Sequence, residues 1–181
     1  MTAIKEVMAR RVWDSRGKPT VEVDVTLENG VLGRAIAPAG ASRGAREAVD
    51  LRDGGDLLRG QNVQSALDSV NGPIAAALAR LDAQDQSGVD SAILALDASP
   101  LKETLGGNAT VATSLAVLHA AAADRGVPLW QHVAETTGNV PSLPLPEIQI
   151  FGGGAHAGRR VDIQDFMIMV PGASSFDEVM E

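Results

Sequence analysis

The chain has 181 residues, 45% of them hydrophobic, and a formal net charge of −8. That length suits one domain, or one plus part of another, burying roughly 70% of the unfolded surface; the acidic balance with scattered Lys and Arg excludes a nucleic-acid or anionic-membrane binder. The absence of cysteine excludes a disulfide and a thiolate metal site. No apolar run is long enough to span a bilayer. The first residues mix Lys5, Glu6, Arg10 and Arg11 into their apolar positions, unlike a secretory signal. A soluble cytoplasmic protein is expected.

Residues 1–13 read as a first strand and Asp14-Ser15-Arg16-Gly17-Lys18-Pro19 as a tight turn holding an Asp–Arg pair. Val21, Val23, Val25 and Leu27 alternate with Glu22, Asp24, Thr26 and Glu28, which predicts a half-buried strand with one wet face. Asn29-Gly30 suits a type I′ turn, and residues 31–37 form the return strand. This three-stranded meander needs another layer over its apolar face. Residues 37–44 follow as a loop, with Ser42 close to the start of an expected short helix over 45–53. Ser42 there reads either as a helix N-cap, or as part of a mobile lid over Gly40, Ala41, Arg43 and Gly44.

Val63, Leu67 and Val70 keep helical spacing until Asn71-Gly72-Pro73, which predicts a helix stop. Residues 74–81 and 89–96 are further apolar-faced segments. Residues 108–124 predict a long alanine-rich helix with Val111, Leu115 and Leu118 as one stripe, carrying His119 one turn beyond Leu115. A short helix near 129–135 carries His132; neither histidine is given a role. Gly138 and three prolines in 136–146 mark a domain boundary. Two domains are therefore expected, residues 1–140 and 141–181.

Beyond the boundary, residues 143–150 and 161–170 read as strands. The glycine-rich connection 151–160 is too short for the crossover that parallel strands need, so the pair is expected to be antiparallel. That geometry brings the loop residue His156 to the end where Asp162, Gln164 and Asp165 begin the second strand. An imidazole, two carboxylates and an amide then converge beside a loop whose glycines allow a ligand close to the backbone. Residues 174–181 open a helix.

Gly153-Gly154-Ala155-His156 and residues 161–168 together resemble the enolase signature, a Gly-Gly-x-His loop followed by Val-Asp-Ile-Gln-Glu-Phe-Met-Ile, with Asp165 in place of the glutamate. Residues 37–44 resemble the family's Pro-Ser-Gly-Ala-Ser-Thr-Gly lid, with Ala39 for a serine and Arg43 for a threonine. The Asp14–Thr20 turn resembles Asp-Ser-Arg-Gly-Asn-Pro-Thr, with Lys18 for the asparagine. Gln149 and Gly152 stand where the family usually has asparagine.

The resemblance implies an α+β capping domain followed by the first two strands, antiparallel, of an enolase-type (β/α)8 barrel that is incomplete here. It implies Mg²⁺-dependent dehydration of 2-phosphoglycerate to phosphoenolpyruvate in glycolysis, by a homodimer or higher homo-oligomer. It also implies that Ser42 ligates a second Mg²⁺ when the lid closes, that His156 closes on the substrate and that Gln164 contacts it. The acid at position 165 then helps hold the water and proton network around the leaving hydroxyl. The base, the principal acid and the first-metal carboxylates are implied to lie farther along the barrel, so the 181-residue piece alone is expected to be inactive. Two other readings stay open: a divergent paralogue acting on another hydroxy acid, and a non-catalytic dimerisation or binding fragment.

Overall fold

The computed structural model describes residues 2–40 and 43–181, with the backbone alone at His156. Contacts divide these residues into two compact units. One comprises 2–39 and 45–139; the other comprises 140–181 together with Gly40, Arg43 and Gly44.

In the first unit, β1 (Ile4–Trp13), β2 (Pro19–Leu27) and β3 (Leu32–Ile36) form the expected antiparallel meander in the order β1-β2-β3. The β1–β2 turn is held by Asp14, whose Oδ1 accepts the N–H groups of Arg16 and Lys18, each at 2.8 Å, and whose Oδ2 accepts from Arg16 Nη2 at 3.2 Å. Gly30, at φ +85°, donates to the Leu27 carbonyl at 2.9 Å; Asn29 is not at positive φ, so the type I′ turn expected of Asn29-Gly30 does not form, and the turn centres on Glu28-Asn29 with Gly30 closing it. As the central strand, β2 places Val21, Val23, Val25 and Leu27 fully in the core.

The opposite face of β2 is less wet than its alternation predicts. Glu22 is only 8% exposed, because Arg10 and Arg34 on the flanking strands lie over it and Asp24. Asp24 accepts from Arg34 Nε at 2.6 Å, Arg34 Nη2 at 2.9 Å and Arg10 Nη1 at 2.7 Å, while Arg10 also pairs with Glu22. The guanidinium stems cover the strand while their heads stay half in water. The hydrogen bonds from Arg34, and then those from Arg10, outweigh partial burial and hold the Asp24 carboxyl down at about 2.

Residues 45–53 do not form the expected helix. Their backbone groups are used elsewhere: Val49 donates to the Leu101 carbonyl at 2.7 Å and accepts from Gly107 N–H at 2.7 Å. The Asn108 side chain clasps Leu51 on both its N–H (3.2 Å) and its carbonyl (3.1 Å). Asp53 instead serves the next helix, α1 (Gln64–Ser69), by accepting the N–H groups of Gln64 and Ser65 at 2.9 Å.

Pro73 does not stop the helical path either. After α1 the chain widens into a π-type turn over Val70–Ile74 and resumes as α2 (Ala75–Leu78), keeping Val70, Ile74 and Leu78 on one buried stripe. The wider turn tolerates the missing proline N–H. Asn71 hydrogen-bonds both backbone groups of Ala9, at 2.7 and 3.3 Å, tying this turn to β1.

Helix α3 (Gln86–Leu96) is capped by Asp85, which accepts from Gly88 N–H at 2.9 Å. Helix α4 (Gly107–Asp124) forms as expected but is turned the other way. Val111 and Leu115 are 48% and 38% exposed, and His119 shares that outer face. The buried face is Ala109, Ala112, Ala116 and Ala120 with Thr113 and Val117. The reason lies in β3. A Cβ on Gly33 would sit 2.2 Å from the Ala116 carbonyl oxygen and 2.3 Å from Ala120 N, so helix backbone rests directly on sheet backbone. Only very small side chains fit that interface.

Helix α5 (Leu129–Thr137) buries His132, whose Nδ1 lies 3.2 Å from Arg125 Nη1. A guanidinium can only donate, so Nδ1 accepts and the ring is neutral. Burial, then the Arg125 charge, lowers the imidazole pKa below its ordinary value.

In the second unit β4 (Ile148–Gly152) and β5 (Asp165–Ile168) pair antiparallel, as the loop length predicts, though each is shorter than its apolar run. A short α6 (Phe176–Met180) follows, capped by the Ser175 hydroxyl, which accepts from Glu178 N–H. Two strands cannot close a barrel. Ile150, Phe151, Met167 and Phe176 are each more than half exposed.

Two outcomes are expected of the first unit. Gly33→Ala should cost about 3 kcal/mol in chemical denaturation, since the obstructing atoms are backbone and cannot turn aside; a loss below about 1 kcal/mol would show that α4 is free to move. Asp24, at about 2 when folded against about 3.9 unfolded, contributes stability that is complete above about pH 4 and is lost as pH falls toward 2. Asp24→Asn should flatten that part of the pH–stability profile. At neutral pH it should cost about 1 kcal/mol, allowing for solvent screening of the half-exposed arginines.

Candidate functional site

The residues that the sequence singles out in 149–165 come together through glycine. Gly153 N–H donates to the Gln164 carbonyl at 2.6 Å, and Gly154 N–H to the Val161 carbonyl at 2.7 Å, so the loop folds back along the chain leading into β5. A Cβ on Gly153 would lie 2.0 Å from the Ile163 carbonyl oxygen, so only glycine permits this approach. Gly154 follows at φ +56°, with its backbone against Gln164. A single 3₁₀ turn, Gly154–Ala157, interrupts a loop in which no helical pattern is evident, and it carries the His156 backbone. Gly158 and Arg159, both at positive φ, end it.

At the foot of this loop Asp165 sits directly opposite Gly152 in the strand register. Its Oδ1 accepts from Gln149 Nε2 at 2.6 Å and its Oδ2 from Gln164 Nε2 at 3.0 Å. An ionised carboxylate has only acceptors, so each glutamine must turn its amino group toward it. The plane of an aspartate carboxylate is soft about its last torsion. One donor on each oxygen fixes that plane, and the remaining lone pairs stay open to a water or a hydroxyl.

The expected convergence is therefore realised for Gln164 and Asp165. Asp162, with Gly154, Ala155, Arg159 and Val161, lines an open cleft of about 280 Å³. Ala41 and Ser42 lie outside the described residues. The neighbouring Gly40, Arg43 and Gly44 adopt no regular structure, and they group with the glycine-loop unit rather than with the meander that precedes them. Residues 45–53 do not form the helix on which the cap reading of Ser42 rested.

Gln149 is the residue that sequence reasoning missed as part of the site. It registers there only as a departure from an asparagine. Gln149 is the register partner of Met167, with Asp165 on its diagonal; a bulge shifts the register between Gln149 and Phe151, and bulges leave no periodic mark in a short apolar run. The available signal was the presence of two complementary polar side chains, 149 and 165, on facing strands.

Among the described residues no cluster of three or more His, Cys, Asp or Glu side chains could hold a metal ion, and no helix is long and apolar enough to cross a membrane. The described part of the candidate site is thus an oriented carboxylate beside a glycine loop. A family model described as "Enolase, N-terminal domain" matches residues 4–133, and one described as "Enolase, C-terminal TIM barrel domain" matches residues 140–181. The first covers the meander and its helices, the second the strand pair with its glycine loop and the oriented carboxylate, and on these matches the chain belongs to the enolase family.

Proposed function

We propose that this chain contributes the capping domain, residues 1–140, and the opening of the barrel, residues 141–181, to an enolase. Its reaction is the reversible, Mg²⁺-dependent dehydration of 2-phosphoglycerate to phosphoenolpyruvate, run in cytoplasmic glycolysis by a homodimer or higher homo-oligomer. Activity requires barrel residues beyond this chain, and the 181-residue piece alone is inactive. The observation that carries the reading is the Asp165 carboxylate, held by Gln149 and Gln164 at the foot of the glycine loop.

The reaction removes a proton from the carbon next to the substrate carboxylate and a hydroxyl from the following carbon, releasing water. A carboxylate locked in one plane suits the second half of that change by accepting from the leaving hydroxyl and so orienting it, while the principal acid farther along the barrel delivers the proton with which it departs as water. Gln164 touches both Asp165 and the backbone of the loop, so it is placed to relay loop position to the carboxylate and to meet the substrate. His156, on the turn that folds toward Gln164, closes over the substrate. The grouping of Gly40, Arg43 and Gly44 with this unit supports a lid role for residues 40–44.

The described donors do not form a magnesium site by themselves: Mg²⁺ favours an octahedral set of oxygens that includes carboxylates. Ser42 would supply one hydroxyl oxygen to a second Mg²⁺, the other ligands coming from the substrate, water and the rest of the barrel.

Ser42→Ala in the barrel-complete enzyme should raise the Mg²⁺ concentration needed for half-maximal activity and leave the thermal midpoint unchanged. A magnesium titration beside a thermal melt checks this. An unmoved titration curve would remove Ser42 from the metal. Asp165→Asn should lower kcat for 2-phosphoglycerate by about a hundredfold, with little change in melting temperature; a kcat within about twofold of wild type would remove Asp165 from the chemistry.

A further inference from the structure

Three of the positions at which this chain departs from the enolase signature, Gln149, Gly152 and Asp165, lie in mutual contact. Gln149 carries one methylene more than the asparagine of the signature, and Asp165 one fewer than the glutamate. Their side chains meet end to end across the strand pair at 2.6 Å. Gly152 lies between them in the fold. It is the register partner of Asp165, and a Cβ built on it would come 2.9 Å from Gln149 Nε2. An asparagine at 152 would drive still more atoms into the space the Gln149 amide occupies. Gln149 is the register partner of Met167, so Asp165, two residues away on the facing strand, lies on its diagonal and within reach of the longer side chain.

We propose that Gln149, Gly152 and Asp165 are one coupled unit, in which Gln149 is a positioning residue that reaches over Gly152 to set the carboxylate of Asp165. The length lost from the acid is returned by the amide, so the cross-strand hydrogen bond survives the exchange. Gly152 is the condition for it, because its missing side chain is the channel through which Gln149 passes. Gln164 holds the second carboxylate oxygen independently, at 3.0 Å, so the carboxylate plane is defined only while both amides are present. Removing Gln149 frees the soft last torsion of Asp165 without removing the carboxylate itself. The catalytic part of this proposal rests on the reading of Asp165 as a site carboxylate; the steric part does not.

The test is a reciprocal exchange in the barrel-complete enzyme with 2-phosphoglycerate as substrate. Gln149→Asn shortens the reach and should lower kcat by about ten- to a hundredfold with KM nearly unchanged, because misplacement of roughly 1 Å carries a loss of that order. Asp165→Glu alone drives the acid into the Gln149 amide and should lose a similar factor. The double variant Gln149→Asn/Asp165→Glu should recover to within a few-fold of wild type, a rescue that a merely structural role would not give. Losses that multiply in the double variant, or a Gln149→Ala enzyme with wild-type kcat, would overturn the proposal.

A second arm reads the steric coupling without catalysis. Gly152→Ala should lower the melting temperature in the wild-type background and leave it nearly unchanged in the Gln149→Ala background. Equal shifts in both backgrounds would overturn the coupling. If Asp165→Asn retains full turnover while the melting cycle is non-additive, the catalytic reading fails and the coupled unit stands; if turnover collapses but the cycle is additive, the reverse holds.

Discussion

The first unit depends on one close approach, that of α4 to β3 at Gly33. Ordinary helix-on-sheet layers are separated by side chains; here the Ala116 carbonyl oxygen and the Ala120 nitrogen occupy the place where a Cβ would be. That approach explains why the longest helix is so rich in alanine. It also explains why its larger residues, Val111 and Leu115, face outward: a leucine on the inner face would lift the helix off the sheet. Dispersion attraction between two backbones at this distance takes the place of the large side chains that normally fill a core.

The same physics recurs in the second unit on a smaller scale. Gly153 lets the loop backbone lie under the Ile163 carbonyl, and this is what brings Gln164 and Asp165 to the loop that carries His156. In both units glycine is a contact residue, and the absence of Cβ sets how two segments are spaced. In the first the result is a sealed core. In the second it is a polar corner where one carboxylate is gripped from two sides.

Much of this was legible from residue order. Strict alternation and Asn29-Gly30 specify the meander, the Asp14 turn contains its own acceptors, and the short glycine loop dictates the antiparallel β4–β5 pair. The failures share a cause, long-range contacts that local patterns do not carry. Residues 45–53 have adequate helical composition but surrender their backbone bonds to Leu101, Gly107 and Asn108. Pro73 reads as a stop, yet the π-type turn absorbs it because Asn71 anchors that turn to β1. The stripe on α4 follows the largest apolar residues, whereas the core side is chosen by the space beside Gly33. In the candidate site, Gln164 and Asp165 were visible because they are neighbours in sequence, Gln164 just ahead of β5 and Asp165 its first residue. Gln149 was not, since Asp165 lies on its diagonal, across a bulge that shifts the register.

That bulge also governs how β4 and β5 find each other. Strands with a period of two can slide by one residue at small local cost, which would turn Asp165 to the opposite face. Here a one-residue slip would move Gly153 out from beneath the Ile163 carbonyl and break the hydrogen bond from its N–H to the Gln164 carbonyl. It would also misplace the irregular step between Gln149 and Phe151, and separate the stacked rings of Phe151 and Phe166, whose centroids are 4.2 Å apart. The pair thus encodes its own alignment.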